Sequence, residues 1–277
     1  YSVMVNGTSQ LFAAGPPVVA RAGEDVDKET LGGATIHAKN GTIDDAVDTE
    51  AEAFERARRF LSYLPSSIRE LPARVACDDP VDRREESLIG AIPRDARRVY
   101  RMRPILEAVF DEGSVFEIGR AWGRSVITAL ARLDGWPVAV LASDPYHYGG
   151  AWTVDASRKA IRLVDLAENF RLPVVHLVDI PGFLIGTAAE RDGIMRFGTQ
   201  ALAAIRSSTV PWCGVIVRKA FGMAALSQRG GSTAFQRFAW PSAQWGSLPI
   251  AGGVYAAYRA EIDAAPDPVA RQAEIEA

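Results

Sequence analysis

Apolar residues fall along this chain in two rhythms, and the change between them divides it. Near the start, Ser2–Val5 is a short β-rich run closed by Asn6-Gly7, a turn signal. Leu11–Ala14 leads into Gly15-Pro16-Pro17, where proline suits the first turn of a helix. From Asp44 to Leu64 the spacing predicts an amphipathic helix. Val47, Ala51, Phe54, Ala57, Leu61 and Leu64 share one face, and Glu52, Glu55, Arg56 and Arg59 the other. Pro65, Pro72, Pro80 and Pro93 then mark a long irregular linker with a charged middle. A domain boundary is expected there, near residue 90.

Beyond the linker, strands alternate with helices. Pro104–Phe110 reads as a short helix and Val115–Ile118 as a strand. Val126–Leu133 and Pro137–Ser143 flank Asp134-Gly135, a strong hairpin signal. Ala156–Phe170 is helical with Asp155 as candidate N-cap, Val174–Val178 a buried strand, Glu190–Arg206 a helix and Cys213–Val217 another buried strand. This order implies α/β layering. Residues 9–19 loosely resemble residues 242–252: an apolar strand end, then Gly or Pro, then a helix. The likeness reads equally as chance or as two similar units, the first beginning before Tyr1.

Composition narrows the function classes. The 277 residues are 48% hydrophobic and 23% charged, ordinary for a globular protein, with no apolar run long enough to span a bilayer. A net charge of −3 argues against a nucleic-acid partner. Two cysteines make neither a disulfide framework nor a zinc site, so reduced cytoplasm is the default compartment. No signal peptide is visible, and a chain starting with Tyr1 implies that the natural N-terminus is absent. The three histidines have no metal-ligand spacing, and His176, inside an apolar strand, reads as a core residue. There is no G-x-S-x-G elbow and no phosphate-binding G-x-x-x-x-G-K-[ST] loop. Two glycine-bearing strand ends remain. Asp179-Ile180-Pro181-Gly182-Phe183 could hold an acid or base, or Asp179 could simply cap the turn. In Arg218-Lys219-Ala220-Phe221-Gly222-Met223-Ala224, backbone N–H groups opening a helix could stabilise an oxyanion, or the segment could be a plain strand-to-helix turn. No general base is obvious.

In order, several segments resemble the carboxyltransferase (beta-type) subunits of biotin-dependent propionyl-CoA, acetyl-CoA and methylcrotonoyl-CoA carboxylases. Leu31-Gly32-Gly33-Ala34 with His37 is similar to L-G-G-x-x-x-H, and Phe60–Pro65 to F-x-x-Y-L-P. Asp155–Ala160 is similar to D-x-x-x-x-K-A. Asp179–Gly186, followed by Glu190 and Gly193, is similar to D-[VI]-P-G-F-x-x-G. Arg218–Gly222 is similar to R-K-A-[YF]-G, and Ala239-Trp240-Pro241 to A-W-P. The resemblance implies a crotonase-like (ClpP/crotonase) α/β fold repeated in two domains. Residues 1–90 would be the end of a truncated first domain plus linker, and 91–277 the second domain.

It also implies carboxyl transfer from carboxybiotin to the α-carbon of an acyl-CoA, giving a product such as methylmalonyl-CoA. Biotin would arrive on a partner domain or subunit and remove the α-proton itself, which accounts for the missing base. Expected partners are biotin carboxylase, the biotin carboxyl carrier and further copies in a hexamer, with no metal in this chain and no membrane. Met223 and Ala224, after Gly222, would donate backbone N–H groups to the biotin ureido oxygen; Gly182, Phe183, Phe221 and Leu226 would line the binding site. The hole for the thioester oxygen would lie before Tyr1. Many relatives have G-G-A where this chain has Gly222-Met223-Ala224, and several have Asp in place of Leu226. Alternative readings are a biotin-dependent decarboxylase subunit, a crotonase-type hydratase or thioesterase, and an inactive scaffold subunit.

Overall fold

The computed structural model describes residues 1–95 and 97–277. The first part holds β1 (Val3–Val5), helices α1 (Pro16–Arg21), α2 (Lys28–Gly32) and α3 (Ala34–Asn40), β2 (Asp45–Val47) and α4 (Glu50–Ser62). Strands β1 and β2 pair in parallel as a small separate sheet. The expected helix from Asp44 therefore starts later. Thr49 and Glu52 form a capping box, each side chain meeting the other's backbone, and this fixes the helix start after the strand.

The buried face of α4 also differs from the expected one. Phe54 is 59% and Leu61 63% exposed, whereas Phe60 and Tyr63 are buried. Of the charged face, Glu52 and Glu55 stay exposed, but Arg56 and Arg59 are half-buried because they have partners on the inner side. The Arg56 and Arg59 guanidiniums lie over the Phe116 ring at 4.3 and 5.6 Å. Arg59 also donates to the Gly113 and Val115 carbonyls at 2.6 and 3.0 Å. Long cationic side chains can cover apolar surface while their heads bond backbone.

Residues 65–95 are mostly irregular, with a 3-10 segment at Glu86–Gly90. Arginines fasten this stretch to the second part: Arg74 donates to the Asp134 carbonyl of a hairpin turn at 2.7 Å, and Arg83 to the Ala108 and Phe110 carbonyls at a helix end at 3.0 and 2.9 Å.

The remainder carries α5 (Arg103–Val109), β3 (Phe116–Ile118), β4 (Val126–Leu133), β5 (Trp136–Ser143), α6 (Val154–Phe170), β6 (Val174–Ile180), α7 (Thr187–Arg191), α8 (Ile194–Ser207), β7 (Trp212–Phe221), β8 (Phe235–Ala239), β9 (Gln244–Gly246), α9 (Ile250–Ala264) and α10 (Pro268–Glu276). The sheet runs β3-β4-β5-β6-β7-β8, and β9 pairs with the end of β7 beyond β8. Pairing is antiparallel from β3 to β5 and parallel from β5 onward. The hairpin turns at Asp134-Gly135, both with positive φ, as that turn type requires.

Helices α6 and α8 cover one face of the sheet through Ala160, Leu163, Val164, Ala201 and Ile205, and Phe60 of α4 joins the same core. Helix α5 covers the other face through Ile105 and Leu106. Helix α6 is capped by Thr153, whose Oγ1 accepts from the Ala156 N–H at 3.0 Å, so Asp155 is a first-turn residue and not the N-cap. The expected helix 190–206 is two helices, because Gly193, at φ 86°, breaks the path between α7 and α8.

Phe60→Ala should destabilise the full-length protein by ~3–5 kcal/mol, and Thr49→Ala by ~1 kcal/mol. Urea denaturation checks both; a Phe60→Ala loss below that of Thr49→Ala would show that α4 is not seated in the core as described.

Candidate active site

The parallel strands β5, β6 and β7 end on one side of the sheet, at Ser143, Ile180 and Phe221. The D-[VI]-P-G-F and R-K-A-[YF]-G segments are the ends of neighbouring strands, and they lock together. Asp179, wholly buried, accepts at Oδ2 from Arg218 Nε and NH2 at 3.1 and 2.9 Å. Its Oδ1 accepts from the Lys219 backbone N–H at 3.1 Å, and its own N–H donates to Ser143 Oγ at 3.0 Å. Arg218 reaches on to the Arg98 carbonyl at 2.8 Å and lies over the Tyr100 ring at 4.7 Å. Burial first, then the Asp179 charge, pushes the Tyr100 phenol well above its ordinary pKa, so it stays protonated. With both oxygens occupied inside the core, Asp179 is a clamp and not an acid or base open to substrate.

Past the clamp, β7 runs through Phe221 into the turn. The Gly222 N–H donates to the Gly246 carbonyl of β9 at 3.1 Å. Gly222 has φ 63° and ψ −159°, a backbone region open to glycine and strained for any other residue. A 3-10 segment, Met223–Gln228, follows in place of the expected helix. The first N–H groups of such a segment have no acceptor within it. Met223 is 54% exposed and Ala224 fully buried, so the turn offers one residue to solvent and seats the next in the core. Phe221 is buried. Leu226 is 55% exposed in this chain, on the same 3-10 segment. From behind, His176 Nδ1 meets the Ser227 carbonyl at 3.2 Å; His176 is the core residue expected from sequence.

The neighbouring turn at Gly182 is stitched to Trp152, whose N–H donates to the Gly182 carbonyl at 3.1 Å and whose carbonyl accepts from the Leu184 N–H at 2.9 Å. Phe183 is half-buried, edge-on to Trp152 with centroids 6.5 Å apart. Gly198 of α8 leaves it room, since a Cβ there would come within 2.7 Å of the Phe183 ring. Phe183 thus packs inward and shapes the turn. Beside it opens a cavity of about 640 Å³ walled in part by Arg124, His147, Tyr148, Asp155 and Leu184. Burial, then the Arg124 charge, lowers the His147 pKa.

Sequence reasoning did not single out Arg218, Tyr100, Arg124 or His147 as site residues. Arg218 carried a usable signal: an Arg and an Asp at the ends of two adjacent apolar strands are buried together only if paired. The Lys of D-x-x-x-x-K-A, Lys159, is also buried, donating to the Val126 carbonyl at 2.7 Å, and burial lowers its pKa to about 8.

A largely parallel sheet with helices on both faces and a glycine turn opening a 3-10 segment at the strand ends defines a crotonase-like protein. Residues 1–277 match the carboxyl transferase domain, and the chain belongs to that family. It is 37% identical over 280 aligned residues to the propionyl-CoA carboxylase carboxyltransferase subunit of Haloferax mediterranei, covering 99% of this chain and 54% of that protein. It is 35% identical to the methylmalonyl-CoA decarboxylase subunit alpha of Veillonella parvula, covering 94% and 52%. A transcarboxylase 12S structure, described as a hexamer with methylmalonyl-coenzyme A and methylmalonic acid bound, superposes with a TM-score of 0.92 at 33% identity, covering 99% of this chain and 53% of that one. The chain spans about half the length of these relatives.

Burial holds His176 neutral, with its pKa pulled down to about 4 against a weaker opposing pull from the Ser227 carbonyl. The unfolded chain, with a histidine pKa of ~6.5, takes up the proton first as pH falls. The stability contributed by neutral His176 is therefore intact above pH ~6.5 and is lost progressively as pH falls towards 4. Urea midpoints between pH 7.5 and 4.5 should fall more steeply for the wild type than for His176→Gln; parallel curves would contradict this.

Proposed function

We propose that the full-length protein transfers a carboxyl group from carboxybiotin to the α-carbon of an acyl-CoA, and that this chain supplies the biotin side of the site. The observation that carries the reading is the turn Gly222-Met223-Ala224, fixed at the end of a buried strand and opening a 3-10 segment. Biotin supplies the carboxyl group and the proton acceptor. The chain's own residues then have to orient and stabilise. The N–H groups of Met223 and Ala224 donate to the ureido oxygen, Gly222 gives the turn its path, and Phe221 and Phe183 hold the two strand ends from inside. Preorganised N–H donors are worth most where water is excluded, and close positioning supplies much of the remaining acceleration.

Biotin carboxylase, the biotin carboxyl carrier and a hexamer of carboxyltransferase chains complete the assembly, in the cytoplasm. The boundary between two crotonase-like units lies near residue 90, and the thioester hole belongs to the first unit. The decarboxylase direction is a second reading, favoured by the similarity to the Veillonella parvula subunit. No helix among the described residues is long and apolar enough to cross a membrane.

A carboxybiotin-coupled assay of the full-length protein with acetyl-CoA, propionyl-CoA and a longer acyl-CoA tests the reading. Transfer to at least one is expected, with acyl groups larger than acetyl preferred because Leu226 adds apolar surface; no transfer to any of them would sink it. Leu226→Asp should shift the kcat/KM ratios between these substrates by more than the ~10-fold that one methylene can produce. Ratios that stay within that range would remove Leu226 from the acyl pocket.

Met223→Ala keeps its N–H and should cost little, whereas Ala224→Pro removes a donor and should lower kcat by ~10²–10³-fold in a folded protein. Equal losses would mean that side-chain packing, not backbone donation, matters there.

A further inference from the structure

Asp179 and Arg218 are a charged pair at the bottom of the site, with 0% and 6% of their side chains exposed. Desolvation makes such a pair a poor source of stability, and well-packed apolar replacements are often neutral or stabilising. Its geometry points to another use. The β6–β7 register runs in step from Val174↔Trp212 to Val178↔Ile216, then shifts, resuming at Ile180↔Ala220. The shift falls at Asp179. There a side-chain oxygen takes the Lys219 N–H in place of a regular ladder bond. Ser143 of β5, the Arg98 carbonyl and the Tyr100 ring meet the same two residues, so two further segments of chain join β6 and β7 at the pair. Only Lys219, Ala220 and Phe221 separate Arg218 from the Gly222 turn.

We infer that Asp179 and Arg218 are positioning residues for the oxyanion turn: across the register shift they set where β7 leaves the sheet, and hence where the Met223 and Ala224 N–H groups point, without touching substrate. The inference rests on the proposed role of that turn.

The test uses the full-length protein in its assembly, with its carboxybiotin-bearing partner. Asp179→Asn/Arg218→Met removes both charges, leaves no lone ion in the core, and keeps an oxygen for the Lys219 N–H. Thermal unfolding and oligomer size should stay near wild type. At a temperature where both proteins are fully folded, kcat should fall by ~10²-fold, the loss expected from a displacement of about 1 Å, with little change in KM for the acyl-CoA. Arg218→Lys keeps the charge but loses the fork, and should show the same split; it decides the matter if the double variant fails to assemble. A folded variant that keeps the wild-type kcat, or loses only KM, overturns the positioning role. A wild-type protein inactive on every acyl-CoA would overturn the functional reading first, and this inference with it.

Discussion

A carboxylate and a guanidinium buried side by side in an apolar core must stay together, because either alone would be an uncompensated charge. Asp179 and Arg218 meet that condition at the ends of β6 and β7, and much of the site's geometry depends on it. The aspartate is fully engaged by the next strand, so it is withdrawn from chemistry. The arginine is engaged by the Arg98 carbonyl and the Tyr100 ring and is buried with it. What remains at the strand end is backbone: a glycine in a conformation few residues adopt, followed by the N–H groups that open a 3-10 segment. A site made this way suits a reaction that stabilises charge on an oxygen and leaves proton abstraction to its co-substrate.

Many of the segments that mark the family are fasteners of the fold. His37 contacts the Leu11 carbonyl and Tyr63 the Ser114 carbonyl. Lys159 ties α6 to the start of β4, and the Trp240 N–H extends from the end of β8 to the Ile216 carbonyl. His176 ties β6 to the 3-10 segment behind the turn. Each puts a polar atom in or near the core against a backbone carbonyl, which is how buried polar groups are tolerated. The family signature is thus read largely as a set of backbone anchors around a small backbone site.

The hairpin around Asp134-Gly135, the buried strands β6 and β7 and the core position of His176 were legible from local pattern, because both faces of the central sheet are covered and continuous apolar runs mark such strands. The pattern misled where apolar area and burial part company. On α4, Phe54 and Leu61 made the better stripe, yet Phe60 and Tyr63 are buried, since Arg56 and Arg59 find an aromatic ring and carbonyls on that side. Asp155 suits a cap by residue type, but Thr153, two residues earlier, holds that place. The short strands β8 and β9 carry weak patterns of their own and are defined by what they pair with on β7. Gly182 and Gly222 stood out as glycines at strand ends, but the clamp joining their strands is a long-range contact, and a single sequence gives its two halves without the bond between them.

The most direct test is a structure of the full-length assembly with biotin bound. The ureido oxygen is expected at ~2.7–3.1 Å from the backbone nitrogens of both Met223 and Ala224, with the Asp179–Arg218 pair intact beneath. Biotin seated instead in the cavity beside His147 and Arg124, with its ureido oxygen away from the Gly222 turn, would contradict it.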